Sequence, residues 1–435
     1  MQMLRYITQK YSQFKNTILL LTALLHGGMA WAQESISLQN CIEQAEKQSP
    51  QAGLLPFIKE AADLQAQLLQ KNWLPQTNLA AQATWQSSTT DLPIELPGIT
   101  VPEMSKWQYK ATLDLSQTIW DGGVTKEQQK IVLANSIAEQ EKVKADIYTL
   151  REQVSALFFG VLLANKQLDN AALLRKDLEN KRKKTLDLKS GGLATNYQVL
   201  ALDAKLLELE QQVVEATNRK GAALKALSLL TNNPNVEKGN LVADNLTPKS
   251  DVYTINRPEL RYFEAQKKAI AASEQLIKAK NMPKVGAFAT AGLGRPGLNF
   301  LSNSLQPYLI GGVQVRVPLT HFYSHSQSIE SQQLRINQDK IRQLEQNFVW
   351  LTQVKAVSQK VDIEKLDVLI SNDRKLIEIR EKMLATADVQ LQNGIITTND
   401  YLTEVNNVDI ARQNLALHEV QRLQAVYLLG ITLGN

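Results

Sequence analysis

One stretch of this chain occurs twice, about half a chain length apart. Residues 192–200 read GLATNYQVL and residues 394–402 read GIITTNDYL, an offset of 202 positions. The same offset persists farther on, where Ala223–Leu227 aligns with Ala425–Leu429. A duplication of this length predicts two copies of one structural unit, and therefore internal pseudo-symmetry in the fold.

The N-terminus has the pattern of a secretory signal peptide. Three basic residues precede an apolar run over 17–25, and Ala30-Trp31-Ala32 follows with small residues at a cleavage position. We expect cleavage after Ala32. The alternative is an N-terminal membrane anchor, although the run is about half of the ~20 residues that a spanning helix needs. We expect no other apolar run of spanning length.

The predicted signal peptide carries most of the positive charge of the chain. Its three basic residues lower the formal net charge from +5 to +2 when they are removed, which gives no support for a nucleic-acid partner. The single cysteine, Cys41, cannot form an intramolecular disulfide. It also lies too far from Ala32 to be a lipidated first residue, so we expect a small buried apolar residue.

Each half of the chain shows the same order of predicted elements: helix, strand, strand, very long helix, turn and helix. We assign 1–32 to the signal peptide, 33–234 to the first repeat, 235–256 to an inter-repeat equatorial segment and 257–435 to the second repeat. The expected helices cover 38–71, 124–189, the segment from the Gly191-Gly192 turn to 231, 257–280, 323–391 and the C-terminal segment after Gly394. The expected strands lie within 73–87, 109–119, 284–294 and 309–319, with loops at 91–102 and 294–307.

The long helices are too long for an ordinary globular core. About 66 residues at 1.5 Å per residue span on the order of 100 Å, which favours coiled-coil packing. Heptad spacing supports this interpretation. In the first hairpin it links Leu202, Leu206, Leu209, Val213 and Ala216. In the second it links Leu369, Leu376 and Met383 beside Ile370, Ile377, Leu384 and Leu391.

The predicted strands alternate between an apolar and a polar face. Each has about 11 residues, the length at which a tilted strand crosses a bilayer. Four strands cannot close a barrel, and open sheet edges are not tolerated in lipid, so closure would need other subunits. The alternative is a soluble two-stranded extension on a coiled coil. The secretion signal, strand length and apolar face favour the membrane.

Several short motifs, taken in order, resemble the TolC family of outer-membrane efflux proteins. They are SLQNCIEQA at 37–45, WLPQ at 73–76, LSQTIWDGG at 115–123, NRPEL at 256–260 and the two Gly-x-x-Thr turns at 192 and 394. The resemblance implies a mainly α fold with a β-barrel portion. Duplicated long helical hairpins would form a trimeric α-barrel, and four strands per protomer would contribute to a shared 12-stranded transmembrane β-barrel.

The resemblance also implies a function and partners. The protein would be a homotrimeric outer-membrane exit duct with its helical tunnel in the periplasm. It would conduct drugs, small molecules or proteins from an inner-membrane RND or ABC transporter and a periplasmic adaptor.

No enzyme activity, metal or cofactor is expected. His321 and His325 have the i, i+4 spacing that could hold a metal on a helix, but no nearby acidic residue or cysteine completes a site, so we interpret them as barrel-rim surface residues. The alternative function is a secreted coiled-coil structural or interaction protein without a pore.

Asp400 matches the position at which the family places an acidic residue in its periplasmic gate. Its repeat counterpart is Gln198, and a second acidic position in some members corresponds to Thr403, with Glu404 beside it. One hypothesis is that three Asp400 side chains form a negative ring that favours cations. The other is that Asp400 only interacts with the N-terminal end of its helix.

The hairpin turns are expected to let the chain reverse and to face the adaptor. They comprise Gly192, Leu193 and Thr195 in the first copy, and Gly394, Ile395 and Thr397 in the second. The basic run 181–184 is either a solvated helix face or a contributor to adaptor docking or gate contacts. On the strands, the expected barrel lumen is lined by Lys110, Asp114, Gln314 and Arg316. Trp85, Trp107 and Tyr109 are candidates for the lipid interface or for packing.

Overall fold

The structure is a computed structural model that describes residues 35–89, 104–243, 254–300 and 302–434. The predicted signal peptide and the loop predicted at 91–102 lie outside the described residues. The helices are α1 Leu38–Gln48, α2 Leu54–Gln70, α3 Val124–Tyr148, α4 Leu150–Ser190, α5 Asn196–Thr231, α6 Pro258–Lys280, α7 His321–Ser324, α8 Ser326–Gln392 and α9 Thr398–Leu433. The strands are β1 Ser35–Ser37, β2 Gln76–Trp85, β3 Trp107–Trp120, β4 Asn240–Val242, β5 Lys284–Arg295 and β6 Gln306–Arg316.

The chain forms two compact units. The helical unit comprises the described residues of Met1–Ser49, Thr149–Asp251 and Val357–Ile431. The strand unit comprises the described residues of Pro50–Tyr148, Val252–Ala356 and Thr432–Asn435. Each unit draws on both halves of the chain, as a duplicated fold requires. The assignment of residues to repeats and to an inter-repeat segment stays a prediction.

The strand unit contains one antiparallel sheet with the order β2-β3-β5-β6. Its register places apolar residues opposite one another: Leu79 faces Leu113, Leu113 faces Ala291 and Ala291 faces Leu309. Because side chains alternate across a strand, the neighbouring positions form a second, more polar face. The predicted division into two faces is confirmed.

Small residues bring the helices of the strand unit together. Helix α3 packs along α6, and α2 packs against α3. Ala138 and Ala145 on α3 are buried, as are Ala265 and Ala269 on α6. Short side chains let helix backbones approach closely, so two long helices can pair without a wide apolar stripe.

The main core of the helical unit is built from α1, α4 and α5. Phe158 and Phe159 are fully buried there, with their ring centroids 5.8 Å apart in an edge-to-face arrangement. Leu227 and Cys41 belong to the same cluster and have no exposed surface. Burial raises the pKa of the Cys41 thiol to about 11. The predicted role of Cys41 as a small buried apolar residue is confirmed.

The heptad prediction is confirmed for α5 and only partly for α8. In α5, Leu202, Leu209 and Ala216 are buried. In α8, the buried positions fall at Ile363, Leu366, Ile370 and Asp373, which continues the 3-4 spacing. The predicted row of Leu369, Leu376 and Met383 lies beside this seam, where Leu376 and Met383 are exposed. The predicted seam therefore combines the buried row with an adjacent, exposed apolar row.

Several element boundaries differ from the prediction. The helix expected over 38–71 is interrupted between α1 and α2, where the Gly53 amide donates to the Pro50 carbonyl. The long first-half helix has a turn at Thr149. Strand β6 begins and ends about three residues before the prediction, and Pro318 follows soon after its end. A parallel pair of three-residue strands, β1 and β4, was not predicted because neither is long enough to show alternation.

The apolar composition of the long first-half helix also differs from the prediction. Val124–Ser190 contains a window with a mean hydropathy of 1.3, long and apolar enough to span a membrane by composition alone. The expectation that no second run of this kind exists is therefore wrong. The same helix supplies Val154, Phe158 and Phe159 to the core of the helical unit. Packing inside the protein accounts for its apolar composition.

Candidate functional site

The two hairpin tips end their first helices in the same way. Gly192 has φ +76°; its amide donates to Lys189 O at 3.0 Å, and Leu193 N donates to Leu188 O at 2.9 Å. Gly394 has φ +68° and repeats both bonds one repeat later. This is the Schellman arrangement, in which glycine takes the left-handed conformation after the last helical residue. The prediction that these glycines reverse the chain agrees with this geometry.

The helices that leave the tips also begin in the same way. Thr195 caps α5: its hydroxyl accepts from Gln198 N at 3.4 Å, and its own amide donates to Gln198 Oε1 at 2.8 Å. Thr397 caps α9 by accepting from Asp400 N at 3.2 Å, while its amide donates to Asp400 Oδ2 at 2.9 Å. Each pair is a reciprocal capping box. The repeated Thr-x-x-Gln/Asp spacing in the sequence was the available signal for it.

Asp400 is therefore held in a fixed position at an exposed helix end. Its carboxylate also accepts from the Thr397 hydroxyl at 2.7 Å. Hydrogen bonds from the Thr397 hydroxyl and amide hold the pKa of Asp400 below its ordinary value of 3.8. The side chain is ionised at neutral pH and open to solvent. Capping and a role in a charged ring are compatible, because one carboxylate has several lone pairs.

The other gate candidates have partners within the chain. The Thr403 hydroxyl donates to Asn399 O at 2.9 Å. Glu404 forms an ion pair with Arg380 of α8, with 3.5 Å between Glu404 Oε2 and Arg380 Nη1. These contacts link α9 to itself and to α8, so Asp400 is the more accessible acidic group among the candidates. Their predicted roles in a gate stay predictions.

Large apolar side chains stand out at both tips. Leu193 is 80% exposed and Ile395 is 69% exposed. Tyr197, two residues into α5, is also largely exposed. Apolar groups at such positions gain little from the packing of their own chain and are available for contact with another molecule.

Two of the four basic residues at 181–184, near the first tip, form contacts within the chain. Lys181 pairs with Asp388 of α8, and its ammonium lies 4.7 Å from the ring centroid of Tyr401. Arg182 pairs with Asp203 of α5. Burial, followed by the nearby Asp388 and Asp177, raises the pKa of Tyr401 to about 12.

The Lys181 contact joins the first hairpin to the second inside the helical unit. The repeat alignment could not reveal this pair, because Met383 lies one repeat after Lys181 and Leu186 lies one repeat before Asp388. Lys183 and Lys184 are exposed. They are the members of the run that remain available to a partner protein.

The four predicted lumen residues share one face of the sheet. Lys110 faces Gly294 and Asp114 faces Thr290, while Gln314 and Arg316 lie at matching positions on β6. Asp114 accepts hydrogen bonds from the Thr290 hydroxyl at 2.6 Å and from the Thr112 hydroxyl at 2.9 Å. The polar groups of this face are therefore connected across β3 and β5.

The opposite face of the sheet is apolar and uncovered. Leu79 is 82% exposed and Leu309 is 73% exposed, although each sits in a row of apolar partners. Trp85 and Trp107 face each other at one end of β2 and β3, and Tyr109 lies on the same face. A continuous apolar face with aromatic residues at its end is the pattern of a lipid-contacting barrel wall.

Residues 41–233 match the family model of the outer membrane efflux protein. This segment, somewhat less than half of the chain, is similar to the outer membrane efflux protein family. The predicted resemblance to the TolC family of outer-membrane efflux proteins and the predicted outer-membrane location are confirmed. A comparison with curated proteins finds no match.

Solved outer-membrane channels have the same fold. The chain resembles VceC of Vibrio cholerae with a TM-score of 0.65 and 15% identity, over 92% of this chain and 96% of that one. It resembles CmeC of Campylobacter jejuni with a TM-score of 0.62 and 16% identity, over 94% and 90%. MtrE of Neisseria gonorrhoeae, solved in an open state, gives 0.62 and 16%, over 92% and 89%. The predicted combination of long helical hairpins with barrel strands is thereby confirmed.

Proposed function

We propose that this efflux protein is a homotrimeric exit duct of a tripartite efflux or type I secretion system. It passively conducts drugs, small molecules or proteins across the outer membrane. An inner-membrane RND or ABC transporter delivers the cargo, and a periplasmic adaptor joins that transporter to the duct. The helical tunnel lies in the periplasm and the sheet lies in the outer membrane.

The open four-stranded sheet carries this proposal. Within the described residues, β2 and β6 each pair with one neighbour only, so both present an unpaired edge. An unpaired backbone N–H or C=O in lipid costs several kcal/mol, which excludes an open sheet as a spanning structure. Closure therefore requires β6 of one copy to pair with β2 of the next. Three copies supply twelve strands.

The hairpin tips support the rest of the proposal. A trimer has six tips, of which three carry Asp400 and three carry Gln198. Asp400 is ionised, exposed and fixed by Thr397, so three copies can form a negative ring at the periplasmic entrance. Such a ring favours cations over anions. The exposed Leu193 and Ile395 are the surfaces on which the adaptor docks.

Disulfide trapping across the two sheet edges tests the trimer directly. In a Cys41→Ala background, single cysteines along β2 would be combined with single cysteines along β6. Positions of one face, such as Asn78, Ala80 and Gln82 against Tyr308, Ile310 and Gly312, allow for an unknown register. We expect one register to give covalent trimers under oxidising conditions. Exclusive formation of intramolecular links or monomers would contradict closure by three copies.

Docking is tested by crosslinking from the tips. Leu193→Cys or Ile395→Cys should crosslink to a periplasmic adaptor in cells that carry the cognate pump. Leu229→Cys is the matched control, since Leu229 is as exposed as Leu193 but lies at the other end of α5. Equal crosslinking from Leu229, or none from either tip, would argue against docking at the tips.

A further inference from the structure

The aromatic ring of Tyr308 lies on a glycine of the neighbouring strand. Tyr308 on β6 and Gly292 on β5 are direct cross-strand partners. A Cβ atom built on Gly292 would lie 2.7 Å from Tyr308 Oη and 2.8 Å from Tyr308 Cε1, closer than real side chains approach. The ring therefore occupies the space that any other residue at position 292 would need.

A second glycine lengthens the gap in side chains that the Tyr308 ring occupies. Gly294 lies two residues along β5 on the same face, and a Cβ there would be 3.3 Å from Tyr308 Cε1. The tyrosine ring thus leans along β5 over two consecutive same-face glycines. A side chain that stands upright from a strand would not reach both positions.

A second aromatic residue repeats this arrangement in the opposite direction. Phe288 on β5 is the direct partner of Gly312 on β6. A Cβ on Gly312 would lie 3.1 Å from Phe288 Cε1 and 3.2 Å from Phe288 Cζ. The strand pair β5–β6 therefore holds two rings, each on a glycine of the other strand.

Both rings lie on the face that carries Lys110 and Asp114. One row across the sheet runs Ala80, Thr112, Gly292 and Tyr308. Apart from Tyr308, this row has only short side chains, so the ring that rests in it adds little height to the wall. Under the proposed function, this face lines the lumen of the barrel.

We propose that the glycine at position 292 sets the bore of the pore by holding Tyr308 against the wall. This inference rests on the proposed function, since it requires the polar face to be luminal. A methyl group at position 292 displaces the Tyr308 ring from its position against the glycine. The ring cannot move toward the sheet, because the backbone of strand β5 lies there, so it turns into the lumen. In a trimer, three such rings narrow the pore at one level. Gly312 holds Phe288 against the wall in the same way, at another height along the barrel.

The structural alternative is that the rings only strengthen the pairing of β5 with β6, as aromatic residues do when they cover glycines in sheets. The two accounts predict different results for a double variant that lacks both the glycine and the ring. If the displaced ring obstructs the pore, removal of the ring restores conductance in the Gly292→Ala background. If the ring only supports strand pairing, its removal adds to the damage.

Unitary conductance of full-length trimers in planar bilayers tests the proposal. We expect Gly292→Ala to lower the conductance, and Gly292→Ala with Tyr308→Ala to return it to the wild-type level or above. Tyr308→Ala alone should not lower it. Gly311→Ala is the matched control, because Gly311 lies on the opposite face and its added Cβ would meet only Phe288 O at 3.6 Å. It should leave the conductance unchanged.

The possible failures are distinguishable. A wild-type protein that does not conduct overturns the proposed function itself. A conducting wild type with an unaltered Gly292→Ala variant overturns only the role of the glycine. A double variant that conducts no better than Gly292→Ala alone also overturns it. If Gly292→Ala does not assemble, Gly312→Ala with and without Phe288→Ala decides the same question for the Phe288 ring.

Discussion

Asp373 and His418 form a hydrogen-bonded pair between α8 and α9, with 2.6 Å between Asp373 Oδ2 and His418 Nδ1. Their side chains are only 11% and 20% exposed. Asp373 is a polar residue in the buried α8 seam, whose preceding positions Leu366 and Ile370 are apolar. A polar residue at one seam position fixes the register of paired helices at some expense in stability. The pair therefore defines how the two helices of the second hairpin align.

Loss of His418 should destabilise this hairpin. In His418→Ala the largely buried Asp373 carboxylate loses its partner, at a cost on the order of 2 kcal/mol. We expect a lower apparent melting temperature of the purified protein in detergent. Glu419→Ala is the control, because Glu419 pairs with the exposed Arg374 at 3.1 Å and surface pairs contribute little. An equal loss in both variants would argue against a special role for Asp373.

Removal of the Asp400 charge should change ion selectivity without loss of the helix cap. Asp400→Asn keeps a side-chain oxygen that can accept from Thr397, so α9 still begins with a capping box. We expect weaker selectivity for cations and weaker block by divalent cations in planar bilayers. Gln198→Ala removes the reciprocal side-chain bond of the capping box at the first tip and no charge. If Gln198→Ala has the same effect as Asp400→Asn, the charge is not the cause.

The pH dependence of selectivity should follow the lowered pKa of Asp400. Hydrogen bonds from Thr397 favour the ionised form, so the carboxylate stays charged below its ordinary pKa of 3.8. The stabilisation by this cap is present above the unfolded pKa and is lost as the pH falls through the lower folded pKa. Cation selectivity should therefore be unchanged between about pH 7 and about pH 4.5. A loss already near pH 6 would contradict this and indicate carboxylates that raise one another's pKa.

Arg257 anchors the start of the second-half helix α6 in the strand unit. Its Nε donates to Glu259 Oε2 at 2.9 Å, and its guanidinium lies 4.7 Å from the Tyr148 ring centroid and 5.7 Å from that of Phe348. Lysine has neither the planar group nor the fork of donors. Arg257→Lys should lower stability by about 1 kcal/mol through lost stacking, seen as a lower melting temperature. The exposed Arg261, changed to lysine, should have no such effect.

The sequence predicted what depends on periodicity. The repeat at 192 and 394 anticipated two equivalent tips, and the structure gives both the same turn and the same capping box. Strand alternation identified both faces of the sheet, because a side chain on a strand can point only two ways. Short motifs such as the one at 37–45 predicted the TolC-family resemblance, which the family match over residues 41–233 confirms.

Contacts between distant residues could not be predicted in this way. Lys181 and Asp388 are 207 positions apart, and no repeat counterpart marks either of them. The Tyr308 ring on Gly292 depends on strand register, which a pattern of apolar residues does not specify to the residue. The break at Pro50 coincides with a proline, although the sequence on both sides of it is strongly helical.

Ion conduction by the purified wild-type protein tests the central claim most directly. Full-length protein in detergent would be checked for trimers by its mass and then added to a planar lipid bilayer. We predict discrete, cation-favouring conductance steps from the trimeric fraction, since closure of three four-stranded sheets creates a water-filled pore. A monomeric or water-soluble product that leaves the bilayer insulating would contradict the account.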